Sequence, residues 1–187
     1  MIQREMYMKR IRPFIGTDLV KVMTGIRRCG KSVMLNLIKD ELKASGVQDV
    51  QMISFNFEVM SNAHLCTAQA LHEEVLKRAA AIAGKVYLFF DEIQEVAQWE
   101  KAINSFRIEL DCDIYITGSN AKLLSGELAT VLGGRYVEFS SLFRNFAMDV
   151  DANVVPILPM TYATMRASKS TSRILLRLTT SLRTTEL

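Results

Sequence analysis

Histidine and cysteine are scarce in this chain, two and three among 187 residues. His64 and His72, together with the isolated Cys29, Cys66 and Cys112, share no metal-ligand spacing, so no metal cluster can be assembled from them. An odd set of thiols without a pairing pattern reads as reduced cysteine, which places the chain in a cytoplasm. Long apolar runs are missing too. The longest useful one, VYLFF, is strand-sized and far short of a membrane span, and MIQREMYMKRIR at the front lacks the apolar core of a signal peptide. The net charge of +3 is too mild to indicate nucleic acid as a partner. What remains is 49% apolar and 23% charged residues, the composition of a globular protein long enough for one sizeable core.

Apolar patterning divides the first 140 residues into alternating strands and helices. A short amphipathic helix is expected before Pro13, followed by a strand over Leu19 to Thr24. Met34, Leu35, Ile38 and Leu42 fit a helix from Ser32, closed by Ser45-Gly46. QMISFNF alternates as a second strand, and Ala68 to Ala83 reads as a second core-facing helix. VYLFF, bounded by Gly84 and Asp91, suits a strand buried on both faces. Trp99, Ile103, Phe106 and Leu110 form a helix stripe, DIYIT a fourth strand, Ala121 to Leu132 a further helix and RYVEF a fifth strand. This rhythm predicts an α/β fold, a parallel sheet with helices on both faces. Ligands in such sheets bind beyond the carboxyl ends of the strands.

Chemistry concentrates at those ends. VMTGIRRCGKSVML contains G-x-x-x-x-G-K-[ST] without mismatch, as Gly25, Ile26, Arg27, Arg28, Cys29, Gly30, Lys31 and Ser32. The glycines permit close backbone approach, and successive N–H groups form an anion nest at the positive end of the following helix. Lys31 supplies a mobile charge to the β- and γ-phosphates of ATP, and the Ser32 hydroxyl suits Mg²⁺. Val33 completes the candidate nucleotide-contacting set in the first helical turn. Arg27 and Arg28 need no such role, since those loop positions demand no particular side chain. Cys29, beside Lys31 and a helix N-terminus, is expected to be a reactive thiol.

The run FFDE adds Asp91 as a Mg²⁺ ligand, direct or through water, and Glu92 as general base for an attacking water. Thr117, Ser119 and Asn120 close the DIYITGSN strand. There a polar side chain either senses the γ-phosphate or caps the next helix, with Asn120 the candidate sensor. Arg135 is a candidate arginine finger toward a neighbouring subunit, or else a strand-edge arginine in a surface ion pair.

The strings TGIRRCGKS, LFFDEIQEVAQWEKAINSFR and DIYITGSNAKLLSGELATVLGGRYVEF resemble the prokaryotic AAA-superfamily ATP-binding proteins that usually carry a further C-terminal domain. The resemblance runs from about Arg4 to Phe139. It implies the additional-strand P-loop NTPase fold with sheet order 5-1-4-3-2, and ATP and Mg²⁺ as ligands. It also implies Lys31 as the Walker lysine, Asp91 and Glu92 as the Walker B pair, and a polar sensor around Ser119-Asn120. Past Phe139 the family's Pro-Leu-Ser segment, Phe-Glu pair and lid have no counterpart. SSLFRNFAMDV leads instead into a Ser/Thr-rich tail through Pro156 and Pro159. Residues 1–140 are therefore expected to be the ATPase core and 141–187 a poorly structured tail, as a truncated or frame-shifted reading frame produces.

Three functions fit these residues. One is Mg²⁺-dependent ATP hydrolysis coupled to an unknown partner, a missing C-terminal domain or a homo-oligomer. The second is a nucleotide-dependent switch with little turnover, or a non-functional fragment. A small-molecule P-loop kinase is the third, against which the DE pair and the ITGSN strand end favour attack by water.

Overall fold

The computed structural model describes residues 2–25, 30–119 and 132–139, all within the unit Met1–Ala152. Helix α1 (Ile2–Ile11) runs into a 3-10 turn at Arg12–Phe14, where Pro13 occupies the first turn and removes a donor. The remaining elements are β1 (Val20–Gly25), α2 (Lys31–Ala44), β2 (Met52–Asn56), α3 (Ala68–Ala79), β3 (Val86–Asp91), α4 (Trp99–Glu109), β4 (Cys112–Ser119) and β5 (Tyr136–Phe139). The expected helix over Ala121 to Leu132 lies outside the described residues apart from Leu132, as does the tail after 140.

All four strand pairings are parallel, and the sheet order is β2-β3-β4-β1-β5. From the other edge this is 5-1-4-3-2, the order expected. Strand β4 thus lies between β1 and β3 and carries its own end residues between theirs.

Period-two burial sorts side chains to the two faces. Val20, Val22, Ile53, Phe55, Leu88, Phe90, Ile114 and Ile116 pack beneath α3 and α4, which contribute Leu71, Val75, Trp99, Ile103 and Phe106. Phe90 sits in the middle, its ring 6.4 Å from Phe55 and 6.0 Å from Phe106. On the opposite face Met23, Phe89, Tyr115, Val137 and Phe139 meet Tyr7, Met8 and Ile11 of α1 and Met34, Leu35, Ile38 and Leu42 of α2. Phe89 and Tyr115 stack there at 4.9 Å.

Helix ends follow local chemistry. After α2, Gly46 takes φ +98°, while its N–H reaches the Lys43 carbonyl and that of Val47 reaches Leu42. This double bond is a Schellman closure, for which glycine suits the left-handed position. Thr67 caps α3 by accepting from the Ala70 N–H. That helix stops at Ala79, short of the expected Ala83, because Ala81 and Ile82 tighten into three-residue turns before Gly84.

A buried ion pair joins the amino ends of β1 and β4 on the α1/α2 face. Lys21 Nζ donates to Asp113 Oδ1 at 2.5 Å, with both side chains fully buried. Asp113 Oδ2 also accepts from the Gly16 N–H and the Tyr115 hydroxyl, each at 2.7 Å. Burial pulls the Lys21 ammonium below the ordinary lysine value, and Asp113 opposes that shift. The pair fastens the loop before β1 to the sheet, at the end away from Gly25.

Candidate functional site

At the carboxyl ends of β1, β3 and β4, five polar side chains are withdrawn from solvent: Thr24, whose hydroxyl donates to Glu138 Oε1 of β5 at 2.7 Å, and Lys31, Asp91, Glu92 and Thr117. Burying two carboxylates and an ammonium is costly unless each is paired, so their partners define the site.

Lys31 opens α2 directly after Gly30, whose φ of +92° is a left-handed turn that favours glycine. Its ammonium lies 3.2 Å from Glu92 Oε1 and 3.4 Å from the Gly25 carbonyl. Helix α2 therefore presents its first-turn cation to the end of β3. Ser32 and Val33 follow on the exposed side of the same turn.

Asp91 ends β3 in register with Asn56 of β2. Its two oxygens are held separately. The Thr117 hydroxyl donates to Oδ1 at 2.5 Å, and the Asn56 amide donates to Oδ2 at 3.3 Å. Thr117, on β4 beside Met23 of β1, also accepts from the Glu92 N–H at 3.0 Å. One hydroxyl thus fixes both members of the acidic pair.

Glu92 leaves the strand with φ +53° and ψ +50°, a left-handed conformation that costs a non-glycine residue about 1–2 kcal/mol. The turn turns its carboxylate back toward α2. A 3-10 turn over Ile93–Glu95 follows, nailed to the core by fully buried Ile93. From that turn the Gln94 amide donates to Glu92 Oε2 at 2.5 Å.

The sequence-predicted residues separate into three groups. Gly25, Gly30, Lys31, Asp91 and Glu92 meet at one end of the sheet, and Ser119 ends β4 opposite Gly25. Ile26, Arg27, Arg28, Cys29 and the sensor candidate Asn120 lie outside the described residues. Arg135 stands at the other end, its carbonyl accepting from the Val20 N–H at the start of β1. Five strand residues, about 16 Å, separate that position from Gly25, so Arg135 cannot act on phosphates in its own P-loop. Its two sequence readings, a finger toward another subunit and a strand-edge arginine in a surface ion pair, both fit that position.

Asn56 and Gln94 escaped sequence reading, and so did the partner of Thr117. Thr117 counts as a strand-end polar group in the sequence, but its face toward Asp91 emerges only from the β3–β4 register. Asn56 carried no motif signal. Gln94 lies within the DEIQ string, two residues past the base, and that spacing was its only sign.

A parallel sheet of order 5-1-4-3-2, with a strand–glycine-loop–helix unit facing an acidic strand end, defines a P-loop NTPase-like α/β protein. Comparison with known proteins narrows this: a family model described as AAA domain matches residues 17–147. The chain belongs to that AAA domain family, a nucleotide-binding class. It is 43% identical over 138 residues to an uncharacterized protein of Haemophilus influenzae, covering 74% of this chain and 34% of that one. With an uncharacterized protein of Methanocaldococcus jannaschii it shares 38% identity over 128 residues, 68% of this chain and 27% of the relative. The match thus spans about a third or less of the length of these curated relatives. Among the described residues no helix is long and apolar enough to cross a membrane.

Proposed function

We propose that residues 1–140 form a Mg²⁺-dependent ATPase core, binding ATP on the loop from Gly25 to Ser32 and Val33 and hydrolysing its β–γ phosphoanhydride. The observation that carries this reading is the pairing of the P-loop ammonium with a strand-end carboxylate, Lys31 Nζ to Glu92 Oε1 at 3.2 Å. An entering triphosphate competes for Lys31, and that transfer frees Glu92 to take a proton from water.

The donor set suits Mg²⁺. Asp91 is an oxygen ligand fixed by Thr117 and Asn56, and the Ser32 hydroxyl is exposed in the first turn of α2. Asp91 and Ser32 would hold the ion, and the chemistry it would supply there is neutralisation of phosphate charge. Asn120 as γ-phosphate sensor and Arg135 as a finger toward a second copy complete the catalytic set.

Phosphate release by the full chain, with and without Mg²⁺ and with Glu92→Gln, tests the proposal. Loss of Mg²⁺-dependent release in Glu92→Gln, with ATP still bound, is the expected result. A specific observation favours the second reading, a switch with little turnover. Both Glu92 oxygens already have partners, Lys31 and Gln94, so the base is closed until nucleotide opens it. Tight ATP binding with barely detectable release, identical in wild type and Glu92→Gln, decides for the switch.

A further inference from the structure

The Gln94 amide has one partnered end and one orphaned end. Nε2 donates to Glu92 Oε2 at 2.5 Å, whereas Oε1 is buried and has no hydrogen-bond partner among the described residues. The amide cannot be reversed, because its carbonyl would then face a carboxylate oxygen at contact distance. Leaving a buried acceptor unpaired is unfavourable, so a donor belongs there. Nor can Gln94 drift away. Ile93, its neighbour, is fully buried in the core, and the Glu95 and Val96 N–H groups close the turn onto Glu92 and Ile93.

We propose that Gln94 holds the water that Glu92 activates. An attacking water has two hydrogens. The base removes one, and the second needs an acceptor if the oxygen lone pair is to point at phosphorus. Glu92 Oε1, released by Lys31, takes the first; Gln94 Oε1 takes the second; Gln94 Nε2 keeps the carboxylate in place. Carboxylate, amide and water close one ring of hydrogen bonds. The water oxygen then bonds to the γ-phosphorus while the bond to the β–γ bridging oxygen breaks. One proton passes to Glu92, and the bridging electron pair leaves with ADP. This assignment rests on the hydrolase reading above and adds a water-positioning residue to it.

The test is steady-state ATP hydrolysis and ATP binding by the full chain as wild type, Gln94→Leu, Gln94→Asn, Glu92→Gln and the double variant Glu92→Gln/Gln94→Leu, with thermal melts of each. Expected for Gln94→Leu is a fall in kcat of about 100-fold with ATP affinity within about 2-fold. Gln94→Asn, which keeps the amide on a shorter stem, recovers part of that loss. The double variant turns over no more slowly than Glu92→Gln alone, because both residues act on one water. Retained kcat in folded Gln94→Leu overturns the assignment while leaving the hydrolase reading intact. Fully additive losses in the double variant do the same, since they mark a structural role. Absence of turnover in the wild type, with ATP bound, overturns both. If Gln94→Leu does not fold, Gln94→Asn carries the comparison, and wild-type kcat with that variant defeats the proposal.

Discussion

Thr117→Val removes a single oxygen from the candidate site and tests how its acidic half is held. The Thr117 side chain is fully buried, donates to Asp91 Oδ1 at 2.5 Å and accepts from the Glu92 N–H at 3.0 Å. Valine keeps the shape but leaves a buried N–H without an acceptor, about 1–3 kcal/mol. It also deprives a buried carboxylate of a donor, a bond of about 1.5–3 kcal/mol. The added methyl returns about 1 kcal/mol of transfer energy. A net loss of about 3 kcal/mol follows, or about 6–12 °C in Tm for a domain of this size. Urea titration and thermal melting of the full chain measure it, with Thr117→Ser as the control that keeps the hydroxyl and loses only a methyl. Because the same bond anchors Glu92 in a left-handed conformation, kcat for ATP is expected to fall in Thr117→Val by more than in Thr117→Ser. A valine variant melting within about 2 °C of wild type, with unchanged turnover, refutes the reasoning.

Three other outcomes follow from particular groups. Asp113→Asn strands the buried Lys21 ammonium and presents an amide to the Gly16 and Tyr115 donors, so stability falls by about 3–5 kcal/mol in urea titration. Lys21→Met/Asp113→Leu is expected to be milder than Asp113→Asn, because it removes both charges. Alkylation of Cys29 by iodoacetamide should be fast and slowed by ATP, while Cys112, whose thiol is pushed up to about 12 first by burial and then by Asp113, reacts slowly; equal rates at both sites, read by mass spectrometry, count against the placement. Glu109 is held below its ordinary 4.5 by the Ser105 hydroxyl first and His72 second. A depressed carboxylate contributes stability above its unfolded value and loses it as pH falls through the folded one. Protection factors of α3 and α4 amides, taken relative to the intrinsic exchange rate at each pH, should therefore fall as pH drops below about 4.5, and Glu109→Gln should flatten that dependence.

The fold was legible because its signals are local. VYLFF between Gly84 and Asp91 has one reading as a short, doubly buried strand, and Trp99, Ile103 and Phe106 are all buried along α4. The Lys31 and Glu92 meeting was legible as well, since the P-loop and the strand-end acid each point to one end of the sheet. Pairings set by register were not. Asn56 reaches Asp91 because β2 and β3 align those residues, and nothing in QMISFNF marks it out. The position of Arg135 was likewise set by register. A glycine pair before an arginine is visible in the string, but that it opens β5 beside Val20, away from the P-loop, depends on strand direction.

Sheet order explains why one hydroxyl can govern the site. Were β3 to pair directly with β1, Asp91 and the glycine loop would be neighbours and no third strand could stand between them. Inserting β4 separates β1 from β3 by two strand spacings, about 10 Å, and the Lys31 side chain bridges that gap to reach Glu92 at 3.2 Å. It also places Thr117 on the α2 face alongside Asp91, where a polar side chain has to bind the carboxylates or remain unpaired. The inserted strand is then what sets the distance that Lys31 crosses to meet Glu92. Lengthening Lys31's alternatives is impossible from the first turn of a helix whose Met34, Leu35 and Ile38 are locked in the core. On the proposed function, the greater negative charge of a bound triphosphate is what would draw Lys31 from Glu92.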